Sequence, residues 1–366
     1  MIVAGTRAAG LGTISGRVRS VLVIDQVDGR SRSAVAAVRA LAAGGFRPLV
    51  AVSGRRSSAA VSRDCAGTVL LPPPGVPDYR QVVLHELAAG GLRPLVTSDA
   101  ALVALGLPGG ELVDKAFLPH RAAAAGLAMP QTRGFADAAE LREAAGSLDY
   151  PLVLKPAFNT AAAAGARRVD SAQALHEMTV GLPGPVVVQP FHDGGLTAVA
   201  GVIRDGSLLA VVHQAYVRFW PPECGVASAA VTTPPNLELE ARLPRLLAGH
   251  CGVFQVQFVG DLLIDVNPRA YGSLPLAVAA GANLPAIACT DPPTDRDGPV
   301  RGRPGVRYRW LEGDVRRVLH DVRHGRLEWK RGVTAMRPRR GTAHSIESLR
   351  DPLPGLVRLT DVLRRS

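Results

Sequence analysis

Four consecutive apolar residues, Val21-Leu-Val-Ile24, are closed by Asp25 and followed by apolar positions at helical spacing from about Ser31 to Ala43, which Gly44 and Gly45 end. The pattern predicts a buried strand and then a helix. The segment Leu41-Ala-Ala-Gly-Gly-Phe-Arg-Pro-Leu-Val50 recurs with one change as Leu87-Ala-Ala-Gly-Gly-Leu-Arg-Pro-Leu-Val96. Each copy reads as a helix end, a glycine cap and a buried strand. Two such units beside one N-terminal strand imply right-handed crossovers and a small parallel sheet reaching about Leu112. A sheet of this kind can hold a dinucleotide, but the near match to the glycine fingerprint, Gly10-Leu-Gly12-Thr-Ile-Ser15, precedes the first strand. The residues after that strand, Asp25-Gln-Val-Asp-Gly-Arg30, lack the spacing, so hydride transfer is not expected.

The texture changes at Asp114. A helix is expected through Ala125, a second about Ala136 to Ala145, and then the strand Tyr150-Pro-Leu-Val-Leu-Lys155-Pro156. Further strands are expected at Pro185 to Gln189, Ala198 to Ile203, Leu208 to Gln214, Val253 to Val259 and Leu262 to Val266. This is an α+β portion built of antiparallel hairpins. Asp291 to Pro299 reads as a loop or linker, and the tail beyond it carries one helical pattern, Asp314 to Arg323.

Composition narrows the classes. The chain of 366 residues is 47% hydrophobic and 20% charged, which is that of a folded globular protein of two or three domains. No run approaches the roughly 20 apolar residues of a membrane span. The first twenty residues lack the apolar core of a secretory signal and read as a loose leader. Cys65, Cys224, Cys251 and Cys289 form no CxxC step, so they are expected to be reduced core residues of a cytoplasmic protein. The net charge of +11 is concentrated in the tail, where Arg301 to Ser366 holds 17 basic and 7 acidic residues. Its few aromatics, Tyr308, Trp310 and Trp329, make no repeated stacking platform, so the tail reads as a solvated arginine-rich face and nucleic acid is not an expected partner. Only Lys115, Lys155 and Lys330 are lysines in a chain with 42 basic residues. Two of these three stand in the motifs that follow.

Phe254-Gln-Val-Gln-Phe-Val-Gly-Asp-Leu-Leu-Ile-Asp-Val-Asn-Pro-Arg269 reads as a hairpin with Gln255 and Gln257 on one face of its first strand and Asp265 and Asn267 on one face of the second. With a two-residue turn at Gly260-Asp261, Gln257 would oppose Ile264 and Asp265 would point away. A three-residue turn, Gly260 to Leu262, brings Gln257 across from Asp265 and is the register adopted here, with Val259 and Leu263 on the same face. Three oxygen ligands with one charge, Gln257, Asp265 and Asn267, suit a Mg²⁺ that substrate phosphates also hold.

Asp265-Val-Asn-Pro-Arg269, with Gln257 eight residues before it, resembles the metal hairpin of the ATP-grasp superfamily, in the form seen in carbamoyl-phosphate-synthase-like ligases. Asp114-Lys115 followed by Gly126-Leu-Ala-Met-Pro130 resembles the family's first ATP lysine and the exit of its helix. Tyr150 to Pro156 resembles the segment of its second lysine, and Val186-Val-Val-Gln189-Pro-Phe191 stands where the hinge meets adenine. Order and spacing agree from about Asp114 to Asn283.

The resemblance implies α/β and α+β architecture: a flexible leader (1–19), a small parallel, Rossmann-like pre-ATP-grasp domain (20–113), the ATP-grasp domain (114–290) and a basic C-terminal extension packed on or near the ligase core (291–366). It implies an ADP-forming ligase that activates a carboxylate as an acyl phosphate for attack by an amine or similar nucleophile, with ATP and one or two Mg²⁺ as cofactors. Lys115 and Lys155 would neutralise phosphate oxygens, with Thr160, Gln189 and Phe191 completing the nucleotide site. Gln257, Asp265 and Asn267 would hold the metal, and Arg269 would face the transferred phosphoryl group. Arg218, on a strand leading into the proline and glycine loop Phe219 to Ser228, is the candidate for the substrate carboxylate. The expected partners are small-molecule carboxylate and amine substrates, with a homodimer open.

The sequence departs from the pattern at three points. The phosphate loop, Asn159-Thr-Ala-Ala-Ala-Ala-Gly165-Ala, has a single glycine. Pro190 stands where the hinge often has glutamate, and Asp265 replaces a longer glutamate at the metal. A second reading therefore stays open: a catalytically degenerate ATP-grasp scaffold that binds nucleotide and recruits an anionic partner through its arginine-rich tail.

Overall fold

The computed structural model describes residues 19–25, 31–54, 57–158, 165–290 and 298–363. Among the described residues it is a mixed α/β structure with one parallel sheet, one antiparallel sheet and one large, mainly antiparallel sheet. The first sheet is parallel and has four strands, in the order Gly67–Leu70, Arg47–Val52, Ser20–Ile24, Arg93–Val96. The two copies of the repeated segment thus flank the same first strand, Val21 pairing with Pro48 on one side and with Arg93 on the other. Both copies follow a helix, Arg32–Ala43 or Tyr79–Gly90, and each turns through a glycine of positive φ, Gly45 at 81° and Gly91 at 58°. Ser31 caps the first of these helices by accepting from the Ala34 N–H at 3.1 Å.

The large sheet has eight strands among the described residues. The hairpin strands Leu262–Asn267 and Gly252–Val259 are followed by Leu196–Arg204, Ser207–Trp220, Val226–Thr232, Arg307–Arg309 and Thr342–His344, and Val300–Arg301 pairs with Ser207–Trp220. Three differences from the sequence reading matter. Ser207–Trp220 runs six residues past the expected end, because a β-bulge near Tyr216 and Arg218 lets it follow Val226–Thr232. Two tail strands, Arg307–Arg309 and Thr342–His344, extend this sheet, so the tail is structural as well as charged. Finally, Lys115 precedes its helix, Leu118–Ala124, and lies in an irregular turn.

The small sheet is antiparallel, in the order Arg133–Phe135, Val186–Pro190, Leu152–Pro156, Arg167–Val169. It has its own core, around Leu141, Leu154 and Leu175, whereas the parallel sheet and the large sheet share one through Val21, Val38, Ala200, Val212 and Leu274. No helix of the described residues is long and apolar enough to cross a membrane, and all four cysteines are free thiols.

The chain beyond His344 is fastened back on the first helix. The buried Asp351 carboxylate accepts from Arg39 Nε at 2.9 Å, Ser62 Oγ at 2.6 Å and the Arg63 N–H at 3.0 Å. Asp351→Asn strips the charge from this set and leaves the Arg39 guanidinium with carbonyl partners alone. It is expected to lower the unfolding free energy by about 2–4 kcal/mol in urea titration, and a loss under about 0.5 kcal/mol would show that the clamp carries no load.

Candidate functional site

A cavity of about 700 Å³ lies between the small sheet and the large one. Lys155 enters it from the strand Leu152–Pro156, where Leu152 and Leu154 turn into the small core and the ammonium is left facing the hairpin of the large sheet. That ammonium is buried and donates to Gln189 Oε1 at 2.8 Å and to the Ile264 carbonyl at 2.9 Å. Gln189 is held in turn, its Nε2 donating to Thr132 Oγ1 at 2.9 Å. Burial is the main cause of a lowered Lys155 pKa, from an ordinary 10.5 to about 8, with Asp265 opposing and Lys115 adding to the shift.

The Ile264 carbonyl is available because of an irregularity in the hairpin. Its turn is the two-residue Gly260-Asp261, since Val259 pairs with Leu262 and Phe258 with Leu263, yet Gln257 still lies across from Asp265. A bulge at Ile264 makes up the missing residue. The expected facing of Gln257 and Asp265 therefore holds, but the three-residue turn does not, and Leu263 packs into the opposite core with Phe258 instead of joining the polar face. Ile264 leaves the ladder and its carbonyl goes to Lys155.

Asp265, Asn267, Gln255 and Gln257 form the polar floor. Lys115, its backbone N–H fixed to the Ala157 carbonyl at 3.1 Å, brings its ammonium to 3.6 Å from Asp265 Oδ1. Asn267 Nδ2 donates to Asp265 Oδ2 at 3.3 Å, while Asn267 Oδ1 accepts from Arg269 Nη2 at 2.9 Å. Gln257 turns its Nε2 to Tyr216 Oη at 3.0 Å, which leaves its amide oxygen for the cavity. Asp265 is the single carboxylate of this floor, and no group of three or more His, Cys, Asp or Glu gathers among the described residues. The donor set fits one Mg²⁺ held chiefly by phosphate oxygens, with Asp265 and Gln257 as protein ligands. Asn267 Oδ1 already accepts from Arg269, which leaves one of its two lone pairs for a metal.

Of the other residues expected at the site, Gln189 and Phe191 line the cavity, and the Arg168 guanidinium lies 4.4 Å from the Phe191 ring. Thr160 lies outside the described residues. Arg269 lines the cavity but is engaged: Nε and Nη2 hold both oxygens of Asp99, the latter at 3.2 Å, and Nη1 donates to the Ala270 carbonyl at 3.1 Å. One Nη1 hydrogen is left for a ligand.

Arg218 is not where the sequence reading put it. Its fork grips Asp314, Nε to Oδ1 at 2.6 Å and Nη2 to Oδ2 at 2.9 Å, and Arg309 Nε adds a third contact at 3.0 Å. Asp314 is wholly buried, so this carboxylate of the chain itself has taken the place assigned to a substrate. The loop after Arg218 does reach the cavity through Trp220, Pro221 and Gly225. His213 is a buried histidine bonded to Glu240 at 3.1 Å. Burial pushes the Cys224 thiol up to about 11, so this cavity-lining cysteine is not a thiolate.

The sequence reading missed Gln255, Tyr216, Tyr271, Trp310, Glu312, Arg316 and Arg358, all of which line the cavity. Gln255 was legible as the neighbour of Gln257 in the alternation. The tail residues were not, because their approach depends on the sheet pairing of Arg307–Arg309 with Val226–Thr232.

No protein-family model and no curated protein matches the sequence. Solved structures do resemble the fold. An L-amino acid ligase from Bacillus licheniformis aligns with 74% of this chain and 73% of its own, at 19% identity and a TM-score of 0.53. An N5-carboxyaminoimidazole synthetase from Staphylococcus aureus, complexed with ADP, aligns over 75% and 78% at 10% identity and a TM-score of 0.54. The biotin carboxylase domain of a 2-oxoglutarate carboxylase from Hydrogenobacter thermophilus, in complex with MgADP and bicarbonate, aligns over 79% and 73% at 14% identity and a TM-score of 0.55. The fold of this chain is the ATP-grasp fold, as in these ligases.

Two outcomes follow from the geometry. Arg218→Ala is expected to lower thermal stability by several degrees, by uncovering the Asp314 charge, while MgADP affinity changes less than about twofold. Unchanged stability would free Arg218 for the substrate carboxylate. For Lys155, the folded chain releases its proton near pH 8 and the unfolded chain near 10.5, so between those values the unfolded state binds more proton and stability rises with pH. A phosphate beside the ammonium restores its charge. Calorimetry of MgADP binding at pH 8 in buffers of different ionisation enthalpy is therefore expected to show net proton uptake that Lys155→Met abolishes, and uptake that survives this substitution would assign the proton elsewhere.

Proposed function

We propose that the protein is an ATP-dependent, ADP-forming ligase that activates a small-molecule carboxylate as an acyl phosphate, which an amine or similar nucleophile then attacks. The observation that carries this reading is the convergence of two buried ammonium groups, Lys115 and Lys155, on the carboxylate of Asp265, the single one of the polar floor, from three separate segments and within one cavity. Phosphoryl transfer asks a protein mainly for positioning and charge neutralisation, and a cleft with two cations and one anionic metal ligand supplies both. The fold likeness to ligases, some seen with ADP or MgADP, supports the nucleotide assignment.

In this reading residues 20–113 form the pre-ATP-grasp domain, 114–290 the grasp and 291–366 an extension that completes the cavity. Lys155 binds phosphate oxygens, held on line by Gln189 and the Ile264 carbonyl. Lys115 neutralises a second phosphate oxygen, close to Asp265. Phe191, at the end of the strand that carries Gln189, offers an apolar face to the base. Asp265 and Gln257 hold Mg²⁺, which when bound withdraws charge from the phosphates. Arg269 keeps Asn267 and the hairpin in register through Asp99 and reaches the transferred group with its remaining N–H. The proline and glycine loop and the tail close the far wall and exclude water from the acyl phosphate.

The purified protein, given MgATP with pooled small acids and amines, is expected to release ADP and phosphate. Hydroxylamine should trap the activated acid as a hydroxamate. Lys155→Ala and Asp265→Ala should each cut turnover by at least about 100-fold. AMP and pyrophosphate would mean adenylation and would overturn the mechanism. Tight nucleotide binding without turnover in any pool would favour the degenerate scaffold.

A further inference from the structure

The polar floor belongs to a hydrogen-bonded chain of five side chains, of which the reading above uses only Gln257. Gln257 Nε2 donates to Tyr216 Oη at 3.0 Å and to Gln255 Oε1 at 3.2 Å. Gln255 Nε2 donates in turn to Ser273 Oγ at 3.3 Å, and that hydroxyl, just before the helix Leu274–Ala279, donates to Gln214 Oε1 at 3.4 Å. Gln255, Ser273 and Gln214 are buried. Both hydrogens of the Gln257 amide are thus used within the chain, and its oxygen is the end left over.

Sheet geometry explains how Tyr216 reaches Gln257. Gln257 lies across from Ala198 of Leu196–Arg204, and Ala198 lies across from Gln214 on its other side. Tyr216, two residues beyond Gln214, shares that face by alternation. Its strand and the hairpin strand are two spacings apart, about 10 Å, so only a long side chain can join them. Ala198, with its single methyl, leaves the strand between them low enough to cross. Just beyond, the strand of Tyr216 changes register against Val226–Thr232, and Arg218 is fixed to Asp314.

The two ends of an amide differ, whereas a hydroxyl accepts or donates with the same oxygen. When the Gln257 oxygen faces a metal, the amide nitrogen faces Tyr216, and Tyr216 Oη accepts from it. Without that acceptor the same orientation leaves a buried N–H unpaired, which is more costly than an under-used carbonyl oxygen. The amide then gains by turning over. A turned amide presents its NH₂ to the ion and cannot ligate it.

We propose that Tyr216 is a positioning residue of the metal site, whose hydroxyl accepts the Gln257 N–H and so keeps the Gln257 amide oxygen toward Mg²⁺. The proposal deepens the ligase reading and rests on it for the identity of the ion. It gives a task to a side chain that the reaction itself leaves idle.

The test measures ADP binding to the full chain by calorimetry, in saturating Mg²⁺ and in EDTA. The ratio of the two affinities is the tightening that the ion supplies. Tyr216→Phe keeps the ring and is expected to cut this tightening about tenfold, with affinity in EDTA changed less than twofold. The deciding comparison adds Gln257→Glu. A carboxylate has two equivalent oxygens and no N–H to leave unpaired, so Tyr216→Phe introduced beside Gln257→Glu is expected to change the tightening less than twofold. A tightening that Tyr216→Phe alone leaves intact would overturn the proposal. An equal loss in both backgrounds, or a loss as large in EDTA as in Mg²⁺, would overturn it too and make the tyrosine a packing group. A wild-type chain that binds ADP no tighter with Mg²⁺ than without would overturn the metal assignment and this proposal with it, and one that binds no ADP at all would overturn the ligase reading.

Discussion

An ammonium group taken out of water has to find acceptors, and those of Lys155 come from two different sheets. Gln189 belongs to the small sheet and the Ile264 carbonyl to the large one, so the lysine spans the cleft between them. Neither acceptor is a carboxylate. The charge is therefore tolerated but not satisfied, which is the physical content of its depressed pKa. A cleft that holds an under-compensated cation is electrostatically prepared for an anion, and the rest of the site is arranged around that deficit.

The bulge at Ile264 is what makes the arrangement possible. A regular ladder with a two-residue turn would spend the Ile264 carbonyl on its neighbour and turn Asp265 to the other face. One extra residue frees the carbonyl for Lys155 and returns Asp265 to the side of Gln257, Lys115 and Asn267. Arg269 fixes the far end of the same strand by reaching across to Asp99, at the start of a helix that follows the last strand of the parallel sheet. The hairpin is thus registered against both neighbouring layers at once.

The sequence made part of this legible, for reasons that can be named. Long periodic signals such as Val21-Leu-Val-Ile24 and the repeated Leu-Ala-Ala-Gly-Gly segments marked the parallel sheet, because buried parallel strands are apolar on both faces and glycines of positive φ end their helices. Scarcity marked Lys115 and Lys155: where arginine is the default cation, a lysine stands out. Alternation paired Gln257 with Asp265, though the turn length behind the pairing was wrong, since a bulge leaves no local signature that separates it from a longer loop. The engagement of Arg218 was hidden for a different reason. Its partner Asp314 is 96 residues away, and nothing in the local pattern distinguishes an arginine that awaits a ligand from one already paired in the fold. The tail's part in the cavity was hidden in the same way, by sheet pairing over a long range.

The most direct test of the account is a crystal structure of the chain with MgADP. The account requires the nucleotide in the cleft between the small and large sheets, its phosphates within hydrogen-bond distance of Lys115 Nζ and Lys155 Nζ, the base against Phe191, and the ion on Asp265. A nucleotide bound elsewhere, or bound here with its phosphates out of reach of Lys155 Nζ, would contradict it.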